Sequence, residues 1–413
     1  MAKPDLENSV IFRFSLYGFL KNQRYFEPFL ILAFHADKGL SFFAIGLLIG
    51  FRELMINLLE IPSGALADLY GRRMCMITAF VAYTISFVVF GVSSVLWHLY
   101  IAMLLFAVGE AFRTGTHKAM IFAYLHSKGA DDMRVQVYGF TRSWSKIGSA
   151  LSAAIAGGLV FWRGNYSDIF WLCAIPSAMN VINFMTYPDV VEAGRNTDVR
   201  GMRVFGHVWE SVKIAWSRRA QRMLLLESSG FEGVFKIAKD YIQPVIKSVA
   251  IGLPFLAALE DQQRTAILIG LAYTLVHLVS SVASRRAHTI GKWAGGDESS
   301  AMWIWGVVMV CYALLVATLG FGWFAIATPV FVAVYMLQNF YRPLLVSRLN
   351  AVSEKHQAAT TLSIESQLKS LVAMIVAPLL GFSVDQWGLW SVGLAGFVVS
   401  AAFWLNGRIA ARR

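Results

Sequence analysis

Charged and polar side chains recur inside long apolar stretches of this chain, and their types and spacing set what chemistry they can do. Glu110, Arg113 and His117 stand at i, i+3 and i+7, so a helix places all three on one face. Glu232–Lys236 and Glu365–Lys369 are i, i+4 pairs in the favourable order, acid first, and can neutralise each other within one helix. Arg142 and Lys146 share a face with like charge, which calls for an anion or for an acidic partner on another helix. Lys21, Asn22, Arg24, Tyr25 and Glu27 cluster near the middle of one apolar stretch, Arg52 and Glu53 in the next, and Gln338, Asn339, Tyr341 and Arg342 in a later one. Such groups suit binding and charge transfer. A charge at bilayer depth is costly unless it is paired or faces water, so each is a functional candidate. Glu365–Lys369 reads equally as a structural pair. Lys118 and Lys239 lie close enough to span ends to snorkel.

The elements that carry these charges are long apolar segments. The 413 residues are 57% hydrophobic and 15% charged, against about 25% charged in a soluble domain. Lipid must therefore cover much of the surface. A span needs roughly 20 apolar residues, and twelve such stretches are expected: 10–36, 41–68, 73–94, 97–126, 134–161, 167–188, 221–250, 263–286, 301–320, 323–348, 357–381 and 388–408. The longest polar stretch falls between the sixth and seventh. The expected organisation is a six-helix half over 1–188, a cytoplasmic linker over 189–220 and a second six-helix half over 221–413.

Basic residues orient the spans. Arg72, Arg73, Lys128, Arg134, the linker arginines and Arg408 fall on one side, and only Lys38, Arg163 and Arg264 on the other. Both termini are expected in the cytoplasm. The stretch from Val10 to Phe34 is too long and too charged for a cleavable signal and lacks a small-residue cleavage site. Trp97, Trp162 and Trp390 sit near span ends, as interfacial belts do. The net charge of +11 is explained by this asymmetry and points to no nucleic acid. Cys75, Cys173 and Cys311 are far apart and form neither a metal spacing nor a disulfide framework. No HExxH, P-loop or GxSxG motif occurs, so no enzyme, cofactor or metal is expected.

After the second span the chain reads Gly64-Ala-Leu-Ala-Asp68-Leu-Tyr-Gly71-Arg72-Arg73. This resembles the G-x-L-A-D-x-x-G-R-R/K signature of the major facilitator superfamily, in its expected place between helices two and three. Gly64 lets helices approach closely, Gly71 permits a tight reversal, and Asp68 can pair with Arg72 or face a helix N-terminus. The preceding Glu60-Ile-Pro62-Ser63 also looks like the family, with Pro62 expected to bend the helix. In the fifth span, Ser149-x-x-x-Ala153-Ala154-x-x-Gly157-Gly158 keeps the small residues of the superfamily's antiporter motif, and with them close packing, but lacks its proline.

The resemblance implies an all-α membrane protein of twelve transmembrane helices in two six-helix halves. It implies a secondary transporter of the bacterial inner membrane, monomeric and surrounded by lipid, whose halves rock about a midplane site. Helices one, four, seven and ten line the central cavity in that fold. They supply Lys21, Asn22, Arg24, Tyr25, Glu110, Arg113, Glu232, Lys236, Asn339 and Arg342 as candidate solute ligands. Glu53, Glu110 and Glu232 are candidates for proton coupling. Gly64, Asp68, Gly71, Arg72 and Arg73 form the expected conformational gate. Bases outnumber acids among the intramembrane charges, which favours a small polar, anionic or zwitterionic organic solute. Short loops and the helix-five residues resemble efflux members, so proton-coupled efflux is the expectation. Proton-coupled uptake, or a non-transporting receptor or assembly protein on the same fold, are the alternatives.

Overall fold

In the computed structural model, residues 6–188, 218–293, 296–353 and 358–411 are described. Among them there is no strand. The helices are α1 (Asn8–Lys21), α2 (Leu30–Leu32, continued by the π-turn Ala33–Asp37), α3 (Phe42–Tyr70), α4 (Arg72–Val92), α5 (Leu96–Arg113), α6 (Thr116–Ser127), α7 (Arg134–Arg163) and α8 (Asp168–Met185). They continue with α9 (Arg219–Ala238), α10 (Ile242–Ile251), α11 (Asp261–Trp293), α12 (Asp297–Gly320), α13 (Phe324–Val352), α14 (Ala358–Trp387) and α15 (Trp390–Ala411).

These helices follow the twelve apolar stretches, with three of the stretches interrupted. The first was expected to be one span, but α1 stops at Lys21 and helix resumes only at Leu30. The intervening residues include Asn22, Arg24 and Pro28, which favour turns or break helices. The fourth breaks at Thr114–Gly115, where Gly115 has φ +78°, a backbone only glycine adopts readily. His117 therefore starts a new helix rather than continuing the Glu110–Arg113 face. The seventh passes through a 3-10 turn, Lys239–Tyr241. Eight helical segments among the described residues are long and apolar enough by themselves to cross a membrane. The first stretch falls outside that set because its helix is only 14 residues long, the seventh because it is charged, and the eighth and twelfth also fall outside it. Pro62 lies inside α3, which runs through it as an α-helix. The linker expected over 189–220 lies almost wholly outside the described residues, as do Arg412 and Arg413.

The chain divides into two compact units. The described part of the first is 6–27 with 54–188; that of the second is 28–53 with everything from 218 onward. In the first unit α4 packs on α5 and α8, and α1 on α7 and α8. Its core is aromatic: Phe14, Phe80, Tyr83, Phe170 and Phe184 are buried. In the second unit α12 packs on α15 and α13, α9 on α14, and α11 on α13. The opening turn of α3 is held there too. The Asp385 carboxylate accepts the backbone N–H groups of Phe42 (3.0 Å) and Phe43 (2.7 Å), two donors a helix start leaves open. Large apolar side chains such as Trp162, Ile182 and Leu379 are exposed, a surface that suits lipid. The three cysteines are buried and free.

Candidate functional site

One helical face builds most of the site in the first unit. Along α7, Tyr138, Thr141, Arg142, Ser145, Lys146 and Ser149 recur at three- and four-residue steps, so all lie on one stripe. The facing stripe of α1 gives Phe14, Tyr17, Gly18, Lys21 and Asn22. The break between α5 and α6 contributes Arg113, Gly115, His117 and Lys118. Together they line a half-open cavity of about 340 Å³.

Glycine sets the distance between the two stripes. A Cβ on Gly18 would lie 2.7 Å from Ser145 Oγ and 2.9 Å from the Thr141 carbonyl oxygen. On Gly148 it would lie 2.5 Å from the Phe19 carbonyl oxygen. Real contacts are longer, so no larger residue fits without moving a helix. The expected close packing in this helix is thus made by Gly148, whereas a Cβ on Gly158 meets nothing within 4 Å. Asn22 Nδ2 donates to the Gly18 carbonyl at 2.7 Å, and Ser149 Oγ lies 3.4 Å from Asn22 Oδ1, fixing the inner end of the wall.

The charge of the cavity is unbalanced. Five basic side chains line it, Lys21, Arg113, Lys118, Arg142 and Lys146, and no carboxylate does. Arg113 is matched behind the wall. It donates to Glu110 and, through Nε, to the Tyr83 hydroxyl at 3.3 Å. Glu110 also accepts Arg24 at 2.8 Å, and Arg24 reaches Glu27 at 2.9 Å. Arg24, Glu27, Glu110 and Arg113 thus form a set of two bases and two acids. The other four lining bases have no ion-pair partner among the described residues. Lys21 Nζ sits 5.6 Å over the Tyr17 ring, and Lys118 Nζ lies 5.4 Å and 5.7 Å from the Phe122 and Tyr138 rings. These are cation–π contacts and supply no counter-charge. Lys118, expected to snorkel to a span end, turns to the cavity instead. Of the two partners open to Arg142 and Lys146, the acidic one is missing from the lining. His117 is a packed ring. It stacks on Tyr17 with centroids 3.8 Å apart and meets the Tyr187 hydroxyl at 3.3 Å.

Among the expected solute ligands, Lys21, Asn22 and Arg113 meet at this cavity. Arg24 lines a separate space of about 30 Å³ beside it, together with Gln23, whose buried amide makes no hydrogen bond. Tyr25 is buried and lines neither space. The remaining candidates, Glu232, Lys236, Asn339 and Arg342, belong to the second unit. There the two pairs expected within single helices are not formed. Lys236 Nζ goes to Glu53 on α3 at 2.5 Å, and Arg52 donates to the same carboxylate at 2.9 Å. Glu232 accepts the Gln338 amide at 3.0 Å. Glu365 takes Arg342 through both oxygens, at 2.8 and 3.1 Å, and the Ser228 hydroxyl at 2.7 Å. Asn339 returns its amide to the Tyr335 carbonyl at 2.8 Å. Buried carboxylates take the cross-helix partner that best satisfies both oxygens, which spacing along one helix does not reveal.

At the signature turn, Gly71 has φ +95° and starts α4. Arg73 donates to the carbonyls of Phe184 (3.1 Å) and Met185 (2.5 Å), capping the negative end of α8. Arg72 reaches the Ala119 carbonyl at 3.4 Å. A Cβ on Gly64 would meet nothing within 4 Å among the described residues. The expected Asp68–Arg72 pairing lies outside the described side chains. Sequence reading missed Tyr17, Tyr138, Thr141 and Ser145. Their signal is the three- and four-residue recurrence of polar groups along with Arg142 and Lys146.

Comparison with known proteins gives the class of this bundle. A sequence model described as Major Facilitator Superfamily matches residues 22–377. The chain belongs to that superfamily and is a transporter, not an enzyme. Solved structures share the fold: the nucleoside transporter NupG (12% identity, TM-score 0.77, 98% of each chain covered) and the peptide transporter POT in complex with sulfate (13%, 0.72, 97% of this chain and 94% of that). A D-xylose-proton symporter does so as well (14%, 0.66, 96% and 97%). Comparison with curated proteins gave no match.

Proposed function

We propose that the protein is a secondary active transporter that moves a small polar, anionic or zwitterionic organic solute by alternating access, coupled to protons in the direction of efflux. The observation that carries this reading is the basic cavity: among the described residues, five bases and no carboxylate line one half-open space between α1, the α5–α6 break and α7. Lys21, Asn22 and Arg113 are the proposed ligands there, joined by Arg142 and Lys146. Arg24 and Glu110 hold Arg113 in place.

Glu232 is the proposed proton carrier among the three acidic candidates. Glu53 is held by two cations and so is Glu110, whereas the partner of Glu232 is a neutral amide, so a proton there displaces no ion pair. Asp68, Arg72 and Arg73, with Gly64 and Gly71, are the proposed gate. The protein is placed in the bacterial inner membrane as a monomer, with the Arg72–Arg73 turn and both termini cytoplasmic, in line with the basic-residue asymmetry. The two six-helix halves, 1–188 and 221–413, are the proposed moving bodies.

Vesicles carrying the purified protein test the reading. A proton gradient set up across the vesicle wall should drive solute movement against the solute's own gradient, with protons moving the opposite way. Solute and proton moving together would establish uptake symport instead. No flux of any anionic or zwitterionic solute would overturn the transport reading.

A further inference from the structure

We infer that the solute of the α1/α6/α7 cavity is an oxyanion carrying at least two negative charges, a phosphate ester or a polycarboxylate, and not a zwitterion. The inference rests on the transport reading above and narrows it. Lys21, Lys118, Arg142 and Lys146 face one space of about 340 Å³ without a carboxylate partner among the described residues, while Arg113 is already balanced by Glu110. The basic side chains around this cavity repel each other, and the repulsion strengthens as water leaves and the dielectric falls. A monoanion would leave most of them unmatched. A zwitterion brings its own cation, and the lining holds no carboxylate to receive it. Each further negative charge on the solute removes repulsion, so affinity should rise steeply with solute charge.

The neutral lining groups agree. Ser145 and Tyr138 offer hydroxyl donors and Asn22 the second N–H of its amide to oxygen atoms, while the Thr141 and Ser149 hydroxyls already donate to the Tyr138 and Ser145 carbonyls. The Arg142 guanidinium presents the planar fork that pairs with two oxygens of one phosphate or carboxylate, and the lysines act as point charges.

The test is binding to the purified full-length protein by calorimetry, with glycerol 3-phosphate, inorganic phosphate and citrate as multivalent probes. Lactate, glycine betaine and glycerol serve as monoanion, zwitterion and neutral probe. At least one multivalent probe should bind ten-fold or more tighter than all three of the latter, and the phosphate and carboxylate arms show which oxyanion is preferred. Lys146→Gln and Arg142→Gln should each weaken that probe about ten-fold, and Lys146→Arg should restore most of the loss. Arg163→Gln, at an exposed pair with Asp168 away from the cavity, should leave it unchanged. Equal or tighter binding of glycine betaine or glycerol, no multivalent binding at all, or affinity indifferent to both cavity variants overturns the inference. The two readings fail separately. Multivalent binding without flux in vesicles removes the transporter assignment and leaves the ligand class, whereas coupled flux of a zwitterion does the reverse.

Discussion

Lys236 donates to Glu53 across two helices, at 2.5 Å, and not to Glu232 one turn away on its own helix. Glu53 is fully buried, and Arg52 holds its other oxygen. Two cations therefore depend on one carboxylate. Glu53→Gln should cost about 3 kcal/mol of stability, because it leaves charge buried without compensation. Removing Lys236 as well should return part of that loss. Thermal unfolding of the two single variants and the double variant in detergent gives the coupling, expected at about 1–3 kcal/mol. Additive losses would show that the pair contributes nothing beyond its members.

The same choice of partner recurs at Glu365. Its oxygens go to Arg342 and Ser228, and Lys369, four residues along the helix, makes no hydrogen bond or ion pair among the described residues. Arg342→Ala should therefore destabilise the protein by about 3 kcal/mol, since it strands a buried carboxylate. Lys369→Ala should cost less than about 0.5 kcal/mol. The ranking of the two melting temperatures checks this, and a reversed order would restore the within-helix pairing.

These two carboxylates mark where sequence reading stops. Hydropathy located the twelve segments to within a few residues, because lipid requires long apolar runs whatever they pack against. The Glu110–Arg113 pair was also visible, since i, i+3 neighbours meet on any helix. The partners of Glu365 and Lys236 were not, because a helix offers several equivalent faces and only packing selects one. Helix interruptions were equally hidden. A window average treats residues 10–36 as apolar throughout, while Asn22, Arg24 and Pro28 end the first helix locally. In the cavity, the like-charged Arg142 and Lys146 called for an anion or an acidic partner, but the stripe that joins them to Lys21 needed the Gly18 and Gly148 contacts to bring α1 close.

Asp385 should matter for one helix start. Its carboxylate accepts two N–H groups from Phe42 and Phe43 and places negative charge at the positive end of α3. Asp385→Ala should cost about 1 kcal/mol, and Asp385→Asn less, because its single amide oxygen can still accept one of the two N–H groups. Thermal melts at low and high salt separate the two contributions. The hydrogen bonds persist in salt while the charge–dipole part is screened, so the Asn variant should approach the parent as salt rises.

Proton linkage should depend on Glu232 more than on the other acids. Glu232→Gln keeps a group that can bond Gln338 and removes the site for a proton. Vesicles carrying this variant should exchange labelled for unlabelled solute at near the parent rate. They should fail to move protons with solute, as read by a pH-sensitive dye trapped inside. Loss of exchange and proton movement together would instead make Glu232 a solute ligand or a structural group.

The spacing between α1 and α7 gives a test that separates glycine's two roles in one helix. At Gly148 a methyl group would lie 2.5 Å from the Phe19 carbonyl oxygen, which is backbone and cannot rotate away. Gly148→Ala must push α1 off α7 and shift Lys21 and Asn22 relative to Arg142 and Ser149. At Gly158, ten residues further along, a methyl group meets nothing within 4 Å. Alanine there gains helix propensity, worth about 1 kcal/mol at an exposed interior site. Gly148→Ala should therefore lower the melting temperature and weaken solute binding, while Gly158→Ala should leave binding unchanged and hold or raise the melting temperature. Equal behaviour of the two variants would show that the close approach at Gly148 does not set the cavity wall.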